Sequence, residues 1–231
     1  MVNSGCVIYK DFKRPSKELI EAFRGVPVAN IDDCMNRLAA VSPEIKPIGK
    51  PGVLGPAFTV KVAEGDNLML HKAMDLAKPG DILVIDAGGS ISRSIIGELM
   101  THYCVIRGLG GILLDGSIRD YDELAEMDIP IYARAITPNG PYKNGPGEIN
   151  TPISFGGQLV RPGDIVVGDG DGVLFIRPGE APEILAAVKA VMETEAGIIA
   201  TQNREGTYPR PWVDAKLQEI GCTYFDFWEE K

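Results

Sequence analysis

Two short segments hold the residues whose types and spacing point to chemistry: Gly97-Glu98-Leu99-Met100 and Ser117-Ile118-Arg119-Asp120, with twenty residues between Glu98 and Arg119. A hard divalent cation wants carboxylate oxygens, and an anionic substrate wants a guanidinium fork. Glu98, Asp120 and Arg119 would supply that combination if the chain brought them together. Glu98 reads equally as an acid favoured in a first helical turn or as an acid in the outer shell of a metal. If a helix opens near Gly97, the N–H groups of Leu99 and Met100 are donors without intrahelical acceptors, and such donors bind anions. Alone, Arg119-Asp120 would read as a surface ion pair. It gains weight because it follows an apolar strand through Gly116-Ser117, and ligands of α/β sheets bind at the carboxyl ends of strands. Asp115, Asp122 and Glu123 add further acids around that arginine.

The elements that must position these residues follow from hydrophobic period and turn chemistry. Pro15 and Ser16 start a short helix to about Arg24, and a second helical pattern spans Ile31 to Leu38. Ser42 to Gly55 reads as a loop. Phe58-Thr59-Val60-Lys61-Val62 alternates with the period of a strand. Asp66 or Asn67 caps a helix to about Ala77. Ile82–Asp86 and Gly110–Asp115 are continuously apolar enough to be buried strands. A helix follows Gly88-Gly89 to about Arg107, a helical turn lies near Asp122-Glu123-Leu124, and a strand lies at Ile131-Tyr132-Ala133. Residues 137–150 form a long irregular loop, a kind that is often functional or interfacial. Strands follow Pro162-Gly163-Asp164 and the Gly168–Gly172 turn, then a long helix covers Glu180 to about Asn203. This order predicts a layered α/β domain over residues 1–204, with an aromatic-rich extension over 205–231 that packs on the body or on a neighbouring subunit.

Composition narrows the partners. The 231 residues are 45% hydrophobic and carry a net charge of −9, without a basic stretch. That argues against a nucleic-acid footprint. No 18-residue apolar run exists, so no membrane span is expected. The N-terminal stretch lacks the long apolar core of a signal peptide. Cys6, Cys34, Cys104 and Cys222 are scattered and only two histidines are present, which disfavours zinc and fits reduced thiols in a cytoplasmic protein.

The same residues resemble the pyruvate aldolases that act on 4-hydroxy-4-methyl-2-oxoglutarate and 4-carboxy-4-hydroxy-2-oxoadipate, within a superfamily that includes the regulator of ribonuclease E activity. The motif of that family is an acid, twenty spacer residues, then Arg-Asp, here Glu98, Arg119 and Asp120. The resemblance extends over roughly residues 20 to 205. It takes in Gly65-Asp66-Asn67-Leu68, Pro79–Gly89, Pro138–Lys143 and Pro162–Gly172. It implies a β/β/α sandwich with a C-terminal helical extension and a class II, metal-dependent aldolase with oxaloacetate decarboxylation as a side activity. Asp120 would hold Mg²⁺ or Mn²⁺, with Glu98 reached through water. Arg119 would bind the keto or enolate oxygen, and Gly97, Leu99 and Met100 would bind the substrate carboxylate. An acid from a neighbouring subunit's terminal helix, Glu193 or with preference Glu195, would complete the catalytic set in a homotrimer or hexamer. The family pattern has Asp where this chain has Glu98.

Three rivals stand beside this reading. One is a non-catalytic protein-binding regulator. Another is a Schiff-base enzyme, although Lys61, Lys72 and Lys143 read as solvated surface lysines. The third is an adenosylmethionine-dependent methyltransferase or other nucleotide user, although Asp86-Ala87-Gly88-Gly89-Ser90 matches no phosphate-loop pattern. His71 could face the site or the solvent and reads as a packing or surface residue before a catalytic one, and Asp169 and Asp171 read as turn residues.

Overall fold

The computed structural model describes residues 5–228. The first residues of the N-terminal stretch and the last three of the expected extension therefore lie outside the described residues. The chain divides into two compact units, Met1–Val188 and Lys189–Lys231. The division falls inside a helix rather than at residue 204.

In chain order the first unit holds β1 (Cys6–Ile8), α1 (Lys17–Glu21), α2 (Val28–Cys34), β2 (Lys46–Ile48), β3 (Val53–Val62), α3 (Leu68–Leu76), β4 (Ile82–Asp86), β5 (Ser94–Ile96), α4 (Glu98–Ile106), β6 (Gly111–Ile118), α5 (Tyr121–Glu126), β7 (Ile131–Ile136), β8 (Gly147–Ile149), β9 (Ile153–Phe155), β10 (Gln158–Val160), β11 (Ile165–Gly168) and β12 (Val173–Ile176). Helix α6 (Ala181–Glu205) begins there and runs into the second unit, which also contains α7 (Pro211–Glu219). Among the described residues, no helix is long and apolar enough to cross a membrane.

The main sheet runs β1-β8-β3-β4-β6-β7-β2, with β11 and β12 joined through β3 and with β5 beside β6. Strands β3, β4, β6 and β7 are mutually parallel. β3 is long enough to serve three ladders: Ala57–Lys61 pairs with β4, Val53–Pro56 pairs antiparallel with β11, and Val60–Val62 pairs antiparallel with β8.

Side-chain alternation then sorts the core into two layers. Phe58 and Val60 of β3, Leu83 and Ile85 of β4, and Ile112 and Leu114 of β6 face α3, α4 and α5, where Leu70, Ala73, Cys104 and Leu124 close the layer. Ala57, Val84, Leu113 and Tyr132 face the opposite way, against Phe155, Val160, Val166 and Phe175 from the later strands. The central strands are apolar on both faces because both faces are covered. The architecture is thus the expected β/β/α sandwich.

Several boundaries differ from the sequence reading, each for a local reason. The second helix begins at Val28 and ends at Cys34, because Asn36 and Arg37 turn to φ of 61° and 60°. The supposed loop before Gly55 contains β2 and the start of β3, whose partners β7 and β11 come from far along the chain. The loop after Ile136 contains β8, paired with β1 and β3. The segment after Gly88-Gly89 first forms β5 and becomes helical only at Glu98.

Candidate active site

The site grows from the carboxyl end of β6. Ser117 and Ile118 pair with Ser94 and Ile96 of the short β5. The ladder then carries one step further, as Arg119 N–H donates to the Ile96 carbonyl at 3.1 Å. This bond places Arg119 directly beside Gly97, the residue preceding α4. Asp120 follows in the left-handed region, with φ 57° and ψ 47°, at the N-cap of α5. Asp is one of the few residues that tolerates that conformation. Its carboxylate turns back toward α4, and Glu98 N–H donates to Asp120 Oδ2 at 2.9 Å.

Gly97 is required by proximity rather than by backbone angle. A Cβ there would stand 2.4 Å from Asp120 Oδ2 and 2.9 Å from Arg119 Cγ. The Gly97 carbonyl accepts from both Thr101 N–H and Thr101 Oγ1, each at 3.0 Å, which fixes the first turn of α4. The first N–H with a helical acceptor is therefore that of Thr101. Those of Leu99 and Met100 lie two and one positions earlier, where no i−4 carbonyl belongs to the helix. The residues singled out in sequence, Gly97, Glu98, Leu99, Met100, Arg119 and Asp120, are brought together around one helix start.

A cleft of about 300 Å³ opens there. Its walls are the first turns of α3 and α4, β5, Arg119, and the loop segment Gly140-Pro141 with Lys143. Gly140 passes close to the guanidinium: a Cβ on it would lie 3.3 Å from Arg119 Nη1. Arg93 holds that loop in place. Its Nη1 donates to the Gly140 carbonyl at 2.7 Å, its Nη2 donates to Tyr142 OH at 2.8 Å, and its guanidinium lies 4.1 Å from the Tyr142 ring centroid. From the other side, Asp66 accepts the N–H groups of Leu68 and Asn144. Burial works against the charge of Asp66, but these backbone donors and that of Gly145 outweigh it and hold its pKa below the usual carboxylate value.

Three residues of this cleft were given other roles by sequence reasoning. Asp66, not Asn67, takes the α3 capping role, so Asn67 is released from it. Asn67 Nδ2 donates to the Ile95 carbonyl at 2.9 Å and to Met100 Sδ at 3.3 Å, while Oδ1 is buried without a partner among the described residues. His71, one helical turn on, also lines the cleft, and its Nε2 is likewise buried and unpartnered among the described residues. Burial first, then the Lys143 charge, push the His71 pKa below the ordinary histidine value, against a smaller pull from Asp75. Lys143 is exposed, as a surface lysine should be, yet it stands at the cleft wall. The signal in sequence was the i, i+4 spacing of Asn67 and His71 on one helix face.

Asp115 and Asp169 lie outside the lining of this cleft. Asp115 belongs to a different ion pair, accepting from Arg134 Nε at 2.7 Å and from Gly156 N–H at 2.8 Å. Asp169 accepts from Asp171 N–H at 2.9 Å, the expected turn role, and also from Val28 N–H at 3.0 Å at the start of α2. The residues lining the cleft all belong to the first unit, whereas Glu193 and Glu195 lie on α6 in the second.

The donor set decides what kind of metal site is possible. No group of three or more His, Cys, Asp or Glu side chains is arranged to hold an ion among the described residues. A closed cage of the structural-zinc kind is not formed by these residues. The Asp120 carboxylate with the Glu98 side chain nearby fits the other pattern, a magnesium ion that keeps several waters and takes one or two carboxylates plus substrate oxygens.

A parallel-stranded sandwich with an acid, an Arg-Asp pair and a free helix start at the carboxyl end of one strand defines the class. The chain belongs to the RraA-like family, Aldolase/RraA, whose model matches residues 28–175. Among its relatives is a protein of Halalkalibacterium halodurans named "Putative 4-hydroxy-4-methyl-2-oxoglutarate aldolase", 42% identical over 173 residues that cover 74% of this chain and 82% of that relative. Solved structures include RraAS2 of Streptomyces coelicolor, described as an unusual member of the RNase ES inhibitor RraA family. It is similar at TM-score 0.71 and 27% identity, over 80% of this chain and 98% of that one. The RNA-processing inhibitor RraA of Thermus thermophilis is similar at TM-score 0.60 and 28% identity, over 65% of this chain and 92% of that one.

Proposed function

We propose that the protein is a divalent-metal-dependent carbon–carbon lyase that cleaves keto diacids of the 4-hydroxy-4-methyl-2-oxoglutarate type to pyruvate and a second keto acid. The observation that carries this reading is the convergence of Arg119 and the free N–H groups of Leu99 and Met100 in one cleft. A pyruvyl unit presents a carboxylate next to a keto oxygen, and the cleft offers a helix start next to a guanidinium.

In this assignment the substrate carboxylate takes the N–H groups of Leu99 and Met100, and Gly97 lets the Asp120 carboxylate and the Arg119 stem close against the same helix start. Arg119 faces the C2 oxygen. Loss of the 4-hydroxyl proton to water breaks the C3–C4 bond, and the electron pair passes into the C2–C3 enolate. Arg119 donates to the oxygen on which that charge accumulates, an interaction stronger in the transition state than in the ground state. Protonation at C3 gives pyruvate. Mg²⁺ or Mn²⁺, held by Asp120 with Glu98 in its water shell, would add Lewis-acid stabilisation of the same charge. Asp120 is itself positioned by Glu98 N–H, so the metal end and the carboxylate end share one helix turn. Oxaloacetate decarboxylation passes through the same enolate and is expected as a side activity.

The remaining parts of the proposal concern the assembly. The protein acts in the cytoplasm as a homotrimer or hexamer, without nucleic-acid or membrane partners, and Glu195 of one copy completes the site of a neighbour. A second reading, a non-catalytic binding protein, is favoured by the inhibitor descriptions of the solved relatives. One experiment separates the two: pyruvate release from 4-hydroxy-4-methyl-2-oxoglutarate and from oxaloacetate, with chelator, with Mg²⁺ or Mn²⁺, and with Arg119→Ala. Metal-dependent release that falls by about 10²–10³ in kcat in the variant supports the lyase. Release no greater than that of the metal ion alone supports the binding protein.

A further inference from the structure

We propose that Asn67, His71 and Lys143 form a subsite for an α-hydroxy acid group, the end of the substrate that carries a hydroxyl and a carboxylate on one carbon. The proposal rests on the lyase reading for the placement of the pyruvyl end and extends it to the end that leaves.

A buried polar atom without a hydrogen bond costs about 1–3 kcal/mol, and a native chain keeps such atoms for a reason. Asn67 Oδ1 and His71 Nε2 are both in that condition, and both residues line the same cleft. For Asn67 this is no accident of a loose side chain. Asn67 is 2% exposed and is pinned through Nδ2 to the Ile95 carbonyl and Met100 Sδ, which aims Oδ1 by exclusion. Its amide orientation is settled by those two acceptors, so the unpartnered atom is an oxygen that can only accept. It calls for a hydroxyl or N–H donor. His71 follows one turn along α3, so the two side chains lie on one face of the helix.

Lys143 contributes charge. Its ammonium acts on His71 through space, and no acidic side chain forms a salt bridge with it among the described residues. The loop that carries it is held by Arg93 and Asp66 rather than by Lys143 itself. An acceptor, an imidazole nitrogen and a cation together match a ligand group with one donor and one negative charge. A tertiary alcohol bearing a carboxylate is such a group. In the proposed substrates that centre is C4, a single methylene from the C2 carbon assigned to Arg119. Groups recognising C2 and C4 must then line one small cleft, as these do. Asn67 Oδ1 accepts from the 4-hydroxyl and holds it, and Lys143 with His71 takes the adjoining carboxylate.

The test uses the full chain and a ligand that cannot turn over. 2-Hydroxy-2-methylbutanedioate keeps the hydroxyl, methyl and carboxylate of the leaving end and lacks the keto group. Its binding is followed by NMR of the imidazole resonances, with His102→Gln used to assign His71. The expected result is a saturable shift of the His71 resonances, a Kd weakened about tenfold or more by Lys143→Met, and weaker binding of 2-methylbutanedioate, which lacks the hydroxyl, by about the same factor. Lys143 sits on an exposed loop, so its variant does not depend on surviving a core change. An unmoved His71 signal overturns the proposal. So does equal binding of the two diacids, which would identify a plain anion site. A kinetic arm ties the subsite to the reaction. Lys143→Met raises KM for the keto diacid by about tenfold more than it raises KM for pyruvate in C3 proton exchange with D₂O, and an equal effect on both overturns the assignment. Intact binding of the probe without any pyruvate exchange in the unaltered protein would defeat the lyase reading and leave the subsite standing.

Discussion

Gly97 shows how strongly one missing side chain can define a site. It sits in ordinary extended backbone, yet a Cβ would meet Asp120 Oδ2 at 2.4 Å. Gly97→Ala must therefore move the Asp120 carboxylate or the Arg119 stem, both of them groups of the proposed chemistry. We expect kcat to fall by about 10² with thermal stability little changed, measured by pyruvate release beside a melting curve. His71 gives a second prediction at this scale. Its folded-state pKa lies below the ordinary value of 6.5, so the unfolded chain takes up the proton more readily. The resulting loss of stability is absent well above pH 6.5 and grows as the pH falls below it. Denaturant titrations at pH 7.5 and 5.5 should show the native chain losing more stability over that interval than His71→Gln. Equal losses would mean that the imidazole titrates freely.

At the scale of elements, the site depends on two helix starts held against one loop. Asp66 links them, accepting from Leu68 at the start of α3 and from Asn144 in the loop. Asp66→Ala leaves both donors without their partner and should cost about 1–2 kcal/mol of stability, with the 137–146 loop becoming the first site of limited proteolysis. Helix α4 yields a chemical prediction. Burial pushes the Cys104 thiol up to about 12, while Cys6 and Cys222 are exposed. In the folded protein at pH 8, thiol reagents should modify Cys6 and Cys222 and leave Cys104 untouched until denaturant is added. The pairing of β5 with β6 is the element-level fact on which all else rests. It sets Gly97 beside Arg119 across a gap of about twenty residues, and β5 has too few residues to announce itself as a strand.

For the molecule as a whole, the proposed metal would belong to the chemistry and not to the scaffold. Two core layers, one on each face of the parallel strands, hold the sandwich, and no cluster of three or more metal-ligating side chains exists among the described residues. Chelation should abolish turnover while shifting Tm by no more than about 2 °C, in contrast to domains whose fold is built on a metal cage. A larger shift would show that the ion also braces the fold. The second unit shows a different surface. Trp212, Tyr224, Phe225, Phe227 and Trp228 are all well exposed, and α7 buries none of its residues. They lie in the aromatic-rich extension that the sequence reading expected to pack on the body or on a neighbouring subunit.

What the sequence determined by itself was local or periodic. The buried strands Ile82–Asp86 and Gly111–Leu114 announced themselves through continuous apolar runs, because a strand covered on both faces has no polar face to show. The spacing of Glu98, Arg119 and Asp120 marked residues that the fold brings together at one helix start, since side-chain type is the one part of a site written directly in the chain. The tertiary structure decided everything that depends on partners distant in sequence. The short strands β1, β2 and β8 exist only through ladders with residues dozens of positions away, and no window of their own sequence carries that information. Asp115 looked like part of the acidic cluster and proved to be held by Arg134, a choice made by strand order. Asn67, His71 and Lys143 looked like a cap and two surface residues. They became cleft residues because Asp66 took the cap, and because a loop some seventy residues later folded over the same helix start, a coincidence that only packing can bring about.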